Sequence, residues 1–178
     1  DYSALREFTE DNLSQKGKLF TPREAKWFVP RSNIGNTGAD YYFADNPKYG
    51  AVFTYHLADD YKTAKDIRRD KEAELNKRNA DIPFPGWEKL DKEREEEPAS
   101  VVLTIQDNQG NVINKISKRA SDGSHRIAWD FSHFNPYPVT SESSNYNRSG
   151  ALAKPGTYNA SLALIKDGEV TPLDGPIS

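Results

Sequence analysis

The segment GAVFTYHL at residues 50–57 alternates without a break, with Ala51, Phe53, Tyr55 and Leu57 on one face and Val52, Thr54 and His56 on the other. A period of two marks a half-buried strand, and a slip of one residue would turn the whole apolar set toward water. The same period returns after Pro98. Val101, Leu103 and Ile105 share a face; Asn108-Gln109-Gly110-Asn111 supplies a turn, and 112–117 returns as the second arm of a hairpin. Ile127, Trp129 and Phe131 form another inward face, and Tyr158, Ala160, Leu162 and Leu164 the next. The pattern predicts strands over 51–57, 101–107, 112–117, 127–131 and 158–165. Lys166-Asp167-Gly168-Glu169 then turns the chain into a short last strand near Val170. Several short antiparallel strands separated by turns imply a two-sheet β-sandwich with Trp129 in its core.

Between residues 59 and 98 the character changes: these 40 residues hold 10 Lys or Arg and 13 Asp or Glu. Its halves, 61–79 and 87–97, carry Glu74 with Arg78 and Glu88 with Lys92 at i,i+4 spacing, and Ile82-Pro83-Phe84-Pro85-Gly86 lies between them. That predicts a solvated helical hairpin. Its apolar stripe is thin, mainly Tyr61, Ala64, Ile67 and Leu75 in the first half and Trp87 with Leu90 in the second, so its packing on the core is expected to be local.

Ahead of the first strand, residues 1–40 read as an entering arm and loop. A short helix is expected over 3–13, Pro22 limits any regular element after it, and 32–40 has the Asn and Gly content of a loop. The sandwich domain then spans 41–178, with the helical insertion at 59–98. The stretch 135–154 reads as a long loop across one end of the sandwich, and no internal repeat is found.

Twenty aromatics (8 Phe, 9 Tyr, 3 Trp) argue for a folded chain, and the formal net charge of -3 offers no basic field for a phosphate backbone. Nucleic acid is not an expected partner. Nothing approaches the roughly 20 apolar residues of a spanning helix, so no membrane insertion is expected, and no signal peptide is visible. Without Cys, thiolate metal sites and cysteine nucleophiles are excluded. Because the chain has no Met, even at position 1, it reads as a piece of something longer.

Four stretches carry a resemblance: Val102-Leu103-Thr104-Ile105-Gln106-Asp107, Gly110-Asn111-Val112, Gly123-Ser124-His125-Arg126-Ile127-Ala128-Trp129-Asp130 and Pro155-Gly156-Thr157-Tyr158. In these the chain resembles the immunoglobulin-like domain of flagellar hook-capping proteins, a module that recurs at the C-termini of secreted bacterial proteins. Asn46-Pro47, Gly50-Ala51-Val52, the charged insertion and Ser149-Gly150-Ala151-Leu152 extend the likeness to the C-terminal region of sortilin-like β-propeller proteins, often labelled glycosyl hydrolases. The 24 residues from Phe131 to Lys154 and the helical insertion depart from the hook-capping pattern and favour the propeller-associated variant. The resemblance implies an immunoglobulin- or fibronectin-like antiparallel β-sandwich in a secreted, periplasmic or cell-surface protein. It also implies a preceding β-propeller as partner, and it brings no catalytic residue to this chain.

The residues themselves point the same way. The acids concentrate in the insertion, where a solvated helix face is the simplest role, and Asp107 and Asp130 sit where a turn or sheet-edge hydrogen bond is expected. His56, His125 and His133 are scattered, without metal-ligand spacing, and no Gly-x-Ser-x-Gly elbow exists. No enzymatic activity, metal or cofactor is therefore expected. Two kinds of contact remain. Phe20, Trp27 and Phe28 in the arm are candidate interdomain contacts, since desolvated aromatics dominate such interfaces. Trp87, Tyr137 and Tyr146 are the candidate glycan contacts of the alternative reading, a carbohydrate-binding module using exposed aromatics.

Overall fold

The computed structural model describes residues 2–28, 48–136 and 150–178. The loop expected over 32–40, and Tyr137 and Tyr146, lie outside these residues.

Among the described residues, seven strands build the β-sandwich: β1 (Gly17–Leu19), β2 (Ala51–Leu57), β3 (Ser100–Gln106), β4 (Val112–Arg119), β5 (Gly123–Trp129), β6 (Asn159–Lys166) and β7 (Glu169–Ile177). One sheet has the order β1-β2-β5, the other β4-β3-β6-β7, and every pair is antiparallel. The register sets Ala51 opposite Trp129 and Leu57 opposite Gly123, so the apolar alternations of β2 and β5 fall on one face. That face closes over Val101, Leu103 and Ile105 of β3 and Ala160, Leu162 and Leu164 of β6 in a single core. Gly50 enters β2 at φ 110°, and a Cβ there would stand 1.9 Å from the Trp129 carbonyl oxygen, so only glycine fits.

Strand ends depart from expectation for local reasons. β5 stops at Trp129 rather than reaching Phe131: Asp130 accepts hydrogen bonds from the N–H and hydroxyl of Ser132, and Phe131 takes a left-handed φ of 64°. β3 stops before Asp107, whose carboxylate accepts the N–H groups of Gln109 and Asn111, each at 2.9 Å. The last strand is a full nine residues rather than a short one.

Part of the expected arm belongs to the sandwich. β1 pairs with β2 and delivers Leu19 to the core. The helix expected over 3–13 divides into a 3-10 turn, Ser3–Glu7, and a short α1 (Glu10–Leu13). Between them Phe8 packs on Phe20, with ring centroids 4.6 Å apart, and Thr9 turns extended to cap α1. Asp174 on β7 fastens this edge, accepting the Leu19 N–H at 2.8 Å and pairing with the Lys18 ammonium at 3.0 Å.

The insertion is a helical hairpin, α2 (Ala64–Lys77) and α3 (Trp87–Glu95). Thr63 and Asp66 start α2 as a capping box. The interactions that hold the hairpin differ from the expected ones, since Ile67 and Trp87 of the apolar stripe are exposed while Glu93 is buried. Arg68 grips the Glu93 carboxylate with its Nε at 2.9 Å from both oxygens and reaches Glu72 at 2.6 Å. Within the helices, Arg68 with Glu72 and Asp91 with Arg94 form ion pairs, whereas the spacings Glu74 with Arg78 and Glu88 with Lys92 do not close into them. At the base, Glu96 accepts the Ala64 N–H, and Arg119 of β4 pairs with Asp66.

Burial pushes the Asp174 carboxyl up, but the Leu19 N–H, Lys18 and the Gly175 N–H outweigh it, and its pKa lies below the ordinary value. A depressed carboxylate stabilises the fold above its unfolded pKa, roughly 4, and that contribution is lost as pH falls through the lower folded value. Asp174→Asn keeps an acceptor and removes the charge. It should cost about 0.5–1 kcal/mol at pH 7, a charged hydrogen bond discounted for partial exposure. Urea unfolding should show the variant's midpoint below wild type at neutral pH, with the gap closing toward pH 2–3.

Candidate functional site

The two ends of the sandwich differ. At one pole β2 ends at Leu57, β3 starts at Ser100, and the hairpin leaves the body between them. At the other pole lie the start of β2, the end of β5 and the approach to β6. Here the chain after Phe20 continues along the edge of β2 and leaves a concavity on either side.

On the inner side is an apolar trough of about 540 Å³ whose floor is Phe53, Trp129, Phe131 and Tyr158. Trp27 forms one lip, and Arg23, Glu24 and Lys154 stand around the mouth. The rings meet edge to face: Trp129 lies 5.6 Å from Phe131 at 71° and 5.1 Å from Tyr158 at 72°. The Trp129 indole N–H donates to the Ser132 carbonyl at 2.8 Å, which fixes the floor. On the outer side, a second concavity of about 720 Å³ lies over Val52 and Thr54, with Phe28 at its edge. Its rim is basic, with Arg23, Lys26, Lys48 and Arg126 outnumbering Glu24. Phe28, Tyr49 and Phe131 join the two sides through edge-on contacts of 5.2 and 5.5 Å.

Sequence-selected residues separate accordingly. Trp27 and Phe28 are 59% and 52% exposed at the trough pole. Phe20 is fully buried beneath Phe8 and offers no surface to another domain, because it follows Leu19 on the opposite face of the sheet, outside the core cluster, where the N-terminal turn covers it. Trp87 stands 72% exposed at the hairpin tip, beside Phe84 at 5.1 Å and 67°. Tyr49, Phe131 and Tyr158 complete the aromatic pole without having been selected. Tyr49-Gly50 and Pro155-Gly156-Thr157-Tyr158 each set an aromatic beside a turn at a strand entrance, which is the signal that marks them.

Reactive groups do not converge among the described residues. His125 lies 3.2 Å from the Ser121 hydroxyl, but the same Nε2 faces the Ser121 and Asp122 carbonyls at 3.1 and 2.8 Å. Two carbonyls require it to carry the proton, so it cannot take one from the serine. Asp66, Glu93 and Asp107 are shifted down, chiefly by hydrogen bonds from Thr63, Arg68 and Asn111 respectively, the reverse of the raised pKa a general acid needs. No group of three His, Asp or Glu able to hold a metal occurs among the described residues, nor does any of their helices have the length and apolarity to cross a membrane. No family model, curated protein or solved structure matches the chain.

The tryptophans provide a direct check on these positions. In variants that each retain one tryptophan, acrylamide should quench Trp27 and Trp87 several-fold more efficiently than Trp129. Equal quenching of all three would contradict the buried trough floor.

Proposed function

We propose that this chain is a non-catalytic accessory β-sandwich module that docks on a neighbouring domain and positions it. In the sortilin-like proteins that it resembles, that neighbour is a preceding β-propeller in a secreted, periplasmic or cell-surface bacterial protein.

One observation carries this reading: the segment that leads out of β1 runs along the edge of the three-stranded sheet and presents Phe28 beside a basic concavity on the outer face. An exposed aromatic at the edge of a concave, charged surface is the composition of an interdomain contact, and such contacts typically bury about 600–1,500 Å². The strand order supports the immunoglobulin- or fibronectin-like part of the reading. The first, second and fifth strands share one sheet and the third, sixth and seventh the other, as in an immunoglobulin constant domain, with the fourth strand paired to the third instead of the fifth. The alternative reading is a carbohydrate-binding module using exposed aromatics. Of its three residues, Trp87 stands exposed at the hairpin tip, and Tyr137 and Tyr146 lie outside the described residues.

The test is solution scattering of the protein that carries this chain together with its preceding domain. Wild type should scatter as one compact particle. Phe28→Ala combined with Lys26→Glu should expand it while leaving the sandwich's circular dichroism intact. Wild type scattering as two independently tumbling bodies would overturn docking.

A further inference from the structure

The hairpin closes on an acid rather than on an apolar stripe. Helix α2 has no buried residue, and in α3 Glu93 alone is buried, its side chain 3% exposed. Leu75 and Leu90 are only half-buried, and Ile67 is exposed. Arg68 meets Glu93 from the other helix, with Nε 2.9 Å from both carboxylate oxygens and one terminal nitrogen at 2.8 Å, and its second terminal nitrogen holds Glu72 at 2.6 Å. Lys65 of α2 and Lys89 of α3 add positive charge around the same carboxylate.

The attachments at the base are of the same kind. Glu96 accepts the Ala64 N–H at 2.8 Å, and Asp66 both caps α2 with Thr63 and pairs with Arg119 of β4. Each of these acceptors weakens when its carboxylate gains a proton. The core of the sandwich, by contrast, contains no carboxylate: Leu19, Phe53, Leu103, Ile127 and Leu162 are among the side chains that hold it, and Asp174 fastens only its edge. Acid therefore acts unequally on the two parts of the molecule.

We propose that the hairpin is an acid-released element of the fold: protonation of Glu93 parts α2 from α3 while the sandwich beneath them stays folded. Arg68, with Lys89 and Lys65, holds the Glu93 carboxyl below the ordinary glutamate value although burial opposes this. The clamp is therefore complete above the ordinary value, about pH 4.3, and is lost as pH falls through the lower folded one. Asp66 is shifted the same way, chiefly by Thr63 and also by Arg119, so the base loosens as the clamp does. A neutral Glu93 leaves the Arg68 guanidinium to Glu72, which belongs to the same helix and cannot hold α3. The device lies at the pole opposite the basic concavity and does not rest on the docking reading.

Amide protection factors of the 178-residue chain on either side of the ordinary glutamate value, at about pH 6 and about pH 3, test it, since they remove the pH dependence of intrinsic exchange. Protection across α2 and α3 should fall about tenfold or more in acid, the scale of one charge-assisted hydrogen bond lost, while β2, β3, β5 and β6 stay protected. Glu93→Gln, which keeps the shape and removes the charge, should bring most of that loss to the higher pH and lose less than wild type on acidification. Arg68→Leu combined with Glu93→Leu should keep the helices protected in acid, because an apolar pair has no proton to gain. Helices whose protection is unchanged in acid, or falls only in step with the strands, overturn the proposal. So does a Glu93→Gln chain as protected as wild type at the higher pH. An acid loss of wild-type size in the doubly substituted chain also overturns it, by assigning the release to Asp66 and Glu96 at the base.

Discussion

The interlock of two period-two faces is the constraint on which the rest of the structure depends. Ala51, Phe53, Tyr55 and Leu57 can leave water only if Ile127 and Trp129 lie beside them and the inner faces of β3 and β6 close over them. Burying a large apolar side chain contributes about 1.5–3 kcal/mol relative to leaving it exposed. A register slip on any one strand would forfeit several such terms together. The three-stranded sheet is narrow, and its outer strand β1 has only three residues. Asp174 compensates by tying that strand to β7 of the opposite sheet through the Leu19 N–H and the Lys18 ammonium.

Charge is handled differently in the body and in the insertion. Within the sandwich, polar side chains mainly end strands: Asp107 and Asp130 satisfy main-chain N–H groups in the turns that follow. In the hairpin an ion pair does the work usually left to apolar packing, since Arg68 of one helix pairs with the buried Glu93 of the other. A buried ion pair adds little net stability over an apolar one, but leaving Glu93 buried without Arg68 would be costly, which favours the facing of the two helices that pairs them. The outcome is a stem whose aromatic tip stands clear of the body.

The strands were legible because alternation is a local signal, and 51–57, 101–107 and 112–117 fall within one or two residues of β2, β3 and β4. Gly17–Leu19 was not legible as a strand, because three residues show too little periodicity and its side-chain clamp comes from Asp174, far away in sequence. Helix formation in the insertion could be read from its composition and spacing. The Arg68 to Glu93 pair could not, because in a segment so rich in both charges nothing local singles out the two that become buried. Trp27, Phe28 and Trp87 were recognised as candidate contacts from their aromatic character and position. The trough itself is assembled from the ends of distant segments, so Phe131 and Tyr158 enter it only once the register is known.

The hairpin meets the sandwich mainly at its base, through the Ala64–Glu96 hydrogen bond and the Arg119–Asp66 pair, so it can open while the sandwich stays closed, and native-state hydrogen exchange tests this most directly. Amides of β2, β3, β5 and β6 should exchange only through global unfolding, with a common denaturant dependence. Amides of α2 and α3 should exchange faster through a smaller opening that leaves the sandwich protected. If the helices instead share the protection of the core strands, or if β2 and β5 open before β3 and β6, this account is wrong.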